Sequence, residues 1–214
     1  MSDINNLFEN LTINDDVIKL NAIKIIQNKY RENKNSILVG VIEMSDKKYS
    51  GTKYVMYQTP LKITFDDNFP QQLQNKFLSI VYLFKVDGKI YKIGQTSGKG
   101  GIRSCLGFYL NAGLDDPGQN RFAINFLIRQ EIEQNKKIEV FMIYEEPIKS
   151  IVKGLYGKYE SYVVPSAKQL EENCIKDYKN LYGKFPRWNF QERSVTYPSE
   201  IHKAFALYKI KRSH

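Results

Sequence analysis

Four residue types at separated positions are the ones in this chain that could do chemistry on a phosphate ester. Tyr82 and Lys92 fall in neighbouring strand-like runs, Arg103 follows a glycine-rich loop, and Glu171 and Glu172 sit in a helical pattern far downstream. A phenol titrates near ~10 and accepts a proton only where a cation such as a lysine ammonium stands beside it. A guanidinium presents paired donors that match phosphate oxygens. A magnesium ion typically takes one or two protein carboxylates and fills its shell with water and phosphate oxygens, so one glutamate is enough. Taken singly, each has a plainer reading: a half-buried strand tyrosine, a solvated lysine, a surface arginine, two acids on a solvated helix face.

The elements that must position them are visible in pattern. Runs 80–85 and 89–94 are rich in branched and aromatic residues and flank Asp87-Gly88, a hairpin signal. A three-residue loop over 86–88, with Gly88 left-handed, predicts Tyr82 opposite Lys92 on one face, whereas a two-residue turn would put them on opposite faces. Ile102, Leu106 and Leu110 form the apolar stripe of a helix that carries Arg103, with Gly107 on its neighbouring face. A helix over 167–182 turns Leu170, Cys174, Ile175 and Tyr178 inward, which keeps Glu171 near the buried stripe and turns Glu172 away.

Read in order, these pieces resemble the GIY-YIG nuclease superfamily. Ile80-Val81-Tyr82 stands where that family has GIY, and Lys92-Ile93-Gly94 where it has YIG. Arg103 stands at the helix arginine, 170–176 resembles the helix with the metal-binding glutamate, and 185–189 resembles the closing asparagine motif. The resemblance covers about residues 78 to 190. Two positions depart from it. Lys92 replaces the second tyrosine, as in a subset that includes restriction endonucleases, and Gly107 stands where His or Tyr is usual, with Tyr109 the nearest substitute.

The resemblance implies an α/β (α+β) core, a small antiparallel sheet flanked by helices, and hydrolysis of DNA phosphodiester bonds. It implies Tyr82 and Lys92 at the attacking water, Arg103 at the phosphate, and Glu171 as ligand of one Mg2+ or Mn2+. Asn189, Tyr109 and Lys99 are candidates for contact with substrate. A type II restriction endonuclease fits best, acting on double-stranded DNA as a homodimer, since a two-fold protein matches a two-fold site. The alternatives are a phage, mobile-element or repair nuclease with the same site, and a binding protein that keeps the fold without catalysis.

Composition agrees with a polyanionic partner. The 214 residues carry a formal net charge of +9, with 15 Tyr and 12 Phe. Each neutralised phosphate releases counterions, so basic surfaces favour nucleic acid. Cys105 and Cys174 are isolated and there are only two His, which argues against zinc and for a reducing compartment. No apolar run reaches membrane-spanning length and no signal-peptide pattern opens the chain, so the expectation is cytoplasmic.

Around the core, a capped helix is expected over about 14–31 with a basic outer face. Strands follow over Ile37–Met44, 53–58 and Leu61–Phe65, then a short polar helix towards Phe77. Residues 1–75 are thus expected as an accessory unit for recognition or dimerisation, 76–190 as the nuclease core and 191–214 as a basic helical extension. Helices are also expected over 121–134 and near the C-terminus, and a strand over 138–144. The stretch 147–166, with paired Gly and Tyr, predicts no definite element.

Overall fold

The computed structural model describes residues 36–46, 48, 59–76, 78–112, 117–146, 148–164, 166–191 and 196–212. The expected helix over 14–31, the turn at 50–51 and the strand over 53–58 lie outside them. The chain divides into two compact units, Met1–Asn35 and Ser36–His214, and every described residue belongs to the second.

The fold is mixed α/β. In chain order the strands are β1 (Ile37–Met44), β2 (Leu61–Phe65), β3 (Ser79–Val86), β4 (Lys89–Thr96), β5 (Ile138–Glu145), β6 (Ile148–Lys153) and β7 (Tyr159–Val164). The helices are α1 (Gly101–Leu110), α2 (Gln119–Glu133), α3 (Ala167–Tyr182) and α4 (Ser199–Arg212), with a 3-10 turn at Gln71–Leu73. Five strands form one sheet in the order β2-β1-β5-β3-β4, and β6 and β7 form a separate two-stranded ribbon. Every pairing is antiparallel.

β3 is apolar at almost every position because both of its faces are covered. Ile80, Tyr82, Phe84 and Val86 join the large core with Ile102, Leu106 and Tyr109 of α1 and Phe122, Ile124 and Ile128 of α2. Val81, Leu83 and Ile93 face the other way, against Leu170, Cys174, Ile175 and Tyr178 of α3. That helix keeps the limits its sequence predicts. Ser166 and Gln169 form a reciprocal capping box, and Gly183 ends the helix in the left-handed conformation at φ 68°.

The expected boundary near residue 75 does not separate two sheets. β1 lies between β2 and β5, so 37–65 supplies two strands of the same sheet that holds β3 and β4. β5 fills the edge of β1 that β2 leaves open. At Gly40 the strands come so close that a Cβ would stand 2.2 Å from the Thr64 carbonyl oxygen. The C-terminal helix is likewise part of the core rather than an appended tail. Ile201 and Tyr208 of α4 are buried, and Phe205 and Tyr208 pack on Phe122 with ring centroids 5.1 and 5.5 Å away.

Candidate active site

The turn of the β3–β4 hairpin has two residues, not three. Val86 pairs with Lys89, and both Asp87 and Gly88 have positive φ, 46° and 76°. That is the primed geometry that matches the twist of a hairpin. The Asp87 carboxylate accepts a 3.0 Å hydrogen bond from the Lys137 amide, which helps hold a non-glycine residue there. Two-residue parity alone would put Tyr82 and Lys92 on opposite faces. The pairing slips between Phe84 and Lys85, however: Phe84 pairs with Lys92 and Lys85 with Ile90, leaving Tyr91 as an extra residue. This bulge restores parity. Tyr82 therefore stands opposite Gly94, and Lys92, opposite Phe84, shares its face.

Gly94 is what lets Tyr82 lie where it does. The phenol crosses the glycine so closely that a Cβ there would meet the Tyr82 hydroxyl at 2.2 Å and Cζ at 2.3 Å. The ring reaches Tyr109 of α1, and the two hydroxyls share a buried hydrogen bond of 2.7 Å. α1 is aimed by its start. Gly101, at φ 60°, passes so near the 74–76 backbone that a Cβ would come within 2.8 Å of the Lys76 carbonyl, and the Arg103 amide donates to the Gln74 carbonyl at 3.0 Å.

A cleft of about 290 Å³ opens between α1 and the end of β4. Tyr82, Thr96, Gly98, Ser104, Cys105 and Tyr109 are among its walls. Burial holds the Cys105 thiol up to about 12, against smaller lowering influences from Thr96, Lys92 and Tyr82. Burial likewise pushes the Tyr82 phenol well above its ordinary value, helped by Tyr109, Cys105 and the charge of Glu171. Tyr82 is therefore a neutral phenol in the free protein. A neutral phenol is not a standing base.

Glu171 comes from the other side of the sheet. α3 packs through Leu170, Cys174 and Ile175 on the face opposite Tyr82, and the charge of Glu171 is the smallest of the influences that raise the Tyr82 phenol. Glu172 is exposed and pairs with Lys168 at 3.8 Å, one turn back on its own helix. Among the described residues no cluster of three or more His, Cys, Asp and Glu could hold a metal ion. A single half-buried carboxylate fits a hard, largely hydrated cation and does not fit zinc.

The other three expected site residues are Arg103, Asn189 and Lys99. Arg103 is exposed and is not among the residues that wall the cleft; its guanidinium donates to the Gln74 side chain and lies 5.0 Å from the Phe65 ring. Successive helix residues turn by about 100°, so the face carrying Ser104, Cys105 and Phe108 to the cleft carries Arg103 away from it. Asn189, expected at the substrate, is fully buried. Its side-chain oxygen accepts from the Ile93 amide at 2.9 Å and its nitrogen donates to the Ile93 carbonyl at 2.8 Å. It thus mimics a strand on the open edge of β4. Lys99 is exposed on the loop before α1, clear of the buried pair.

Cys105 and Thr96 were not anticipated. Cys105 lies four residues before Tyr109 on one helix, so a helix that turns Tyr109 inward also turns Cys105 inward. Thr96 continues the alternation of Lys92 and Gly94 on β4 and was legible on the same grounds.

No family model matches the chain, and no curated protein matches it. Two solved structures are similar in fold. A mutant of bacteriophage T4 EndoII is 16% identical, with 78% of this chain and 97% of that one covered and a TM-score of 0.43. Restriction endonuclease Hpy188I in complex with product DNA is 17% identical, with 74% and 82% covered and a TM-score of 0.40. At these scores neither likeness carries weight for function, which has to be read from this chain's own residues. No helix among the described residues is long and apolar enough to cross a membrane.

Proposed function

We propose that the chain is a divalent-metal-dependent DNA endonuclease of the GIY-YIG kind, with type II restriction cleavage of a short duplex sequence by a homodimer as the specific role. The observation that carries the reading is convergence. Tyr82 from β3, Lys92 from β4 and Tyr109 from α1 share one side of the sheet, with the Tyr82 and Tyr109 hydroxyls hydrogen-bonded. Glu171, on a helix packed against the opposite face, adds only a small electrostatic influence on Tyr82, and like Lys92 and Arg103 it is not among the residues that wall the cleft.

Hydrolysis of a phosphodiester needs an oriented water, charge neutralisation at phosphorus and help for the leaving oxygen. Tyr82, neutral and hydrogen-bonded to Tyr109, orients the water and passes its proton on. It becomes a proton acceptor once added positive charge lowers its pKa. Lys92, almost fully buried opposite Phe84, brings an amine to that face. Glu171 would hold Mg2+ or Mn2+, which when bound supplies charge neutralisation beside the leaving oxygen. Arg103 serves the DNA backbone from the outer side of α1, exchanging Gln74 for a phosphate.

The test is plasmid DNA with Mg2+, comparing the native chain with Glu171→Ala and Tyr82→Phe. Discrete bands abolished by Glu171→Ala are the expected result. Smears or nicks would point to a looser phage or repair nuclease. The position of Arg103 off the cleft favours one rival, a DNA-binding protein without catalysis. That rival gains if no DNA is cut while salt-sensitive binding persists.

A further inference from the structure

We propose that the β6–β7 ribbon is a DNA-grasping arm whose tip, Leu155 and Tyr156, wedges into the base stack; this rests on the nuclease reading for its choice of partner. Among the described residues the ribbon pairs only with itself, and none of its described side chains belongs to either core cluster. An isolated two-stranded hairpin is marginal in water, and this one is covered in apolar groups. Ile148 is 71% exposed, Ile151 70%, Tyr159 69%, Tyr156 90% and Leu155 91%.

The tip is built to project. The Gly157 amide donates to the Gly154 carbonyl at 3.0 Å and the Gly154 amide to the Lys158 carbonyl at 2.7 Å, closing a tight turn with Gly157 at φ 78°. Leu155 and Tyr156 occupy its two corners. They are flanked by Lys153 and Lys158. The register puts Lys149, Ile151 and Lys153 on one face with Tyr159 and Ser161, while Glu160 lies on the other with Val152. One face is therefore basic and apolar together.

Charge selects the occupant. A second copy of the same face would set lysines against lysines, whereas a phosphate backbone complements them. A β-ribbon can enter either groove of a duplex, and apolar side chains inserted between base steps from the minor groove kink it.

The experiment uses the full chain without divalent metal and a labelled duplex with 2-aminopurine at interior steps. Leu155→Ser with Tyr156→Ser is expected to abolish the fluorescence rise that reports unstacking and to weaken binding about tenfold. Lys149→Ala with Lys153→Ala is expected to make the salt dependence shallower by about two phosphate contacts. An unchanged urea midpoint would show that both variants fold. Variants that bind and unstack like the native chain overturn the arm. So does a loss of self-association by sedimentation with DNA binding unchanged, since that assigns the face to a second copy. A native chain that binds through the ribbon but cuts nothing removes the nuclease and leaves the arm; one that binds no duplex removes both.

Discussion

Replacing Gly94 by alanine drives a methyl carbon into the phenol of Tyr82. The new Cβ would stand 2.2 Å from the hydroxyl, 2.3 Å from Cζ and 2.7 Å from Cε2, all well inside ordinary contact. The ring cannot swing aside freely. Tyr82 is only 3% exposed, with Phe84 at 5.4 Å and Tyr109 at 6.0 Å between ring centroids. Overpacking of a tight core costs about 1–3 kcal/mol, and displacing the ring also loses the hydroxyl pair with Tyr109, worth about 0.5–1.5 kcal/mol. The expected loss is therefore about 2–4 kcal/mol, read as a lower urea midpoint at unchanged slope. Tyr82→Phe should not relieve it, because Cζ and Cε2 remain. Tyr82→Ala, itself destabilising, should: added to that background, Gly94→Ala should cost little, giving a coupling of about 2 kcal/mol or more. If Gly94→Ala is as stable as the native chain, or its effect adds to that of Tyr82→Ala within about 0.5 kcal/mol, the close crossing of ring and glycine is wrong.

Asn189→Ala strips both hydrogen bonds from the Ile93 edge and should cost about 2–4 kcal/mol in denaturant without altering the affinity for DNA of the fraction that remains folded. Glu171→Gln should abolish metal-dependent cleavage and keep the unfolding free energy within about 1 kcal/mol, whereas Glu172→Gln, which breaks only an exposed pair with Lys168, should cut DNA normally. Cys105, lifted from 9.0 to about 12, should resist thiol reagents at pH 8 until the chain unfolds. Its raised value makes the neutral thiol the folded form, so its contribution to stability is full below pH ~9 and is lost as pH climbs towards 12. The raised Tyr82 phenol acts with the same sign above pH ~10, so chemical denaturation across pH 8–12 should show a steepening fall. A flat profile there would contradict the burial of both groups.

What was legible in the sequence follows the range of the forces involved. The limits of α3 are set by Ser166, Gln169 and Gly183 within the helix and its caps, and they can be read residue by residue. β1 and β2 run over the residues that their apolar patterns predict. The sheet order could not be read in the same way. β1 pairs with β5, far along the chain, and nothing local marks which strand fills an open edge. Nor was β6–β7 legible. Its apolar side chains face solvent, so the alternation that a packed strand shows is missing. The fate of Asn189 was hidden for a related reason: an asparagine that replaces a strand and one that contacts a ligand look alike until its neighbour is known.

The site itself depended on one residue that pattern reading does not count. A three-residue loop over 86–88 and a plain two-residue turn give opposite answers for Tyr82 and Lys92, and the real hairpin is the second kind. What reconciles them is Tyr91. It leaves the ladder as a bulge, its carbonyl accepts the Trp188 amide at 2.7 Å, and its ring meets Trp188 edge-on at 5.2 Å. The segment that carries Asn189 thus clamps both the bulge and the residue pairing beyond it. Without that clamp β4 would relax by one residue, and Lys92 would turn to the face of Leu83 and Ile93 while Ile93 turned towards Tyr82. The closing motif therefore holds the register that sets Lys92 on the face of Tyr82.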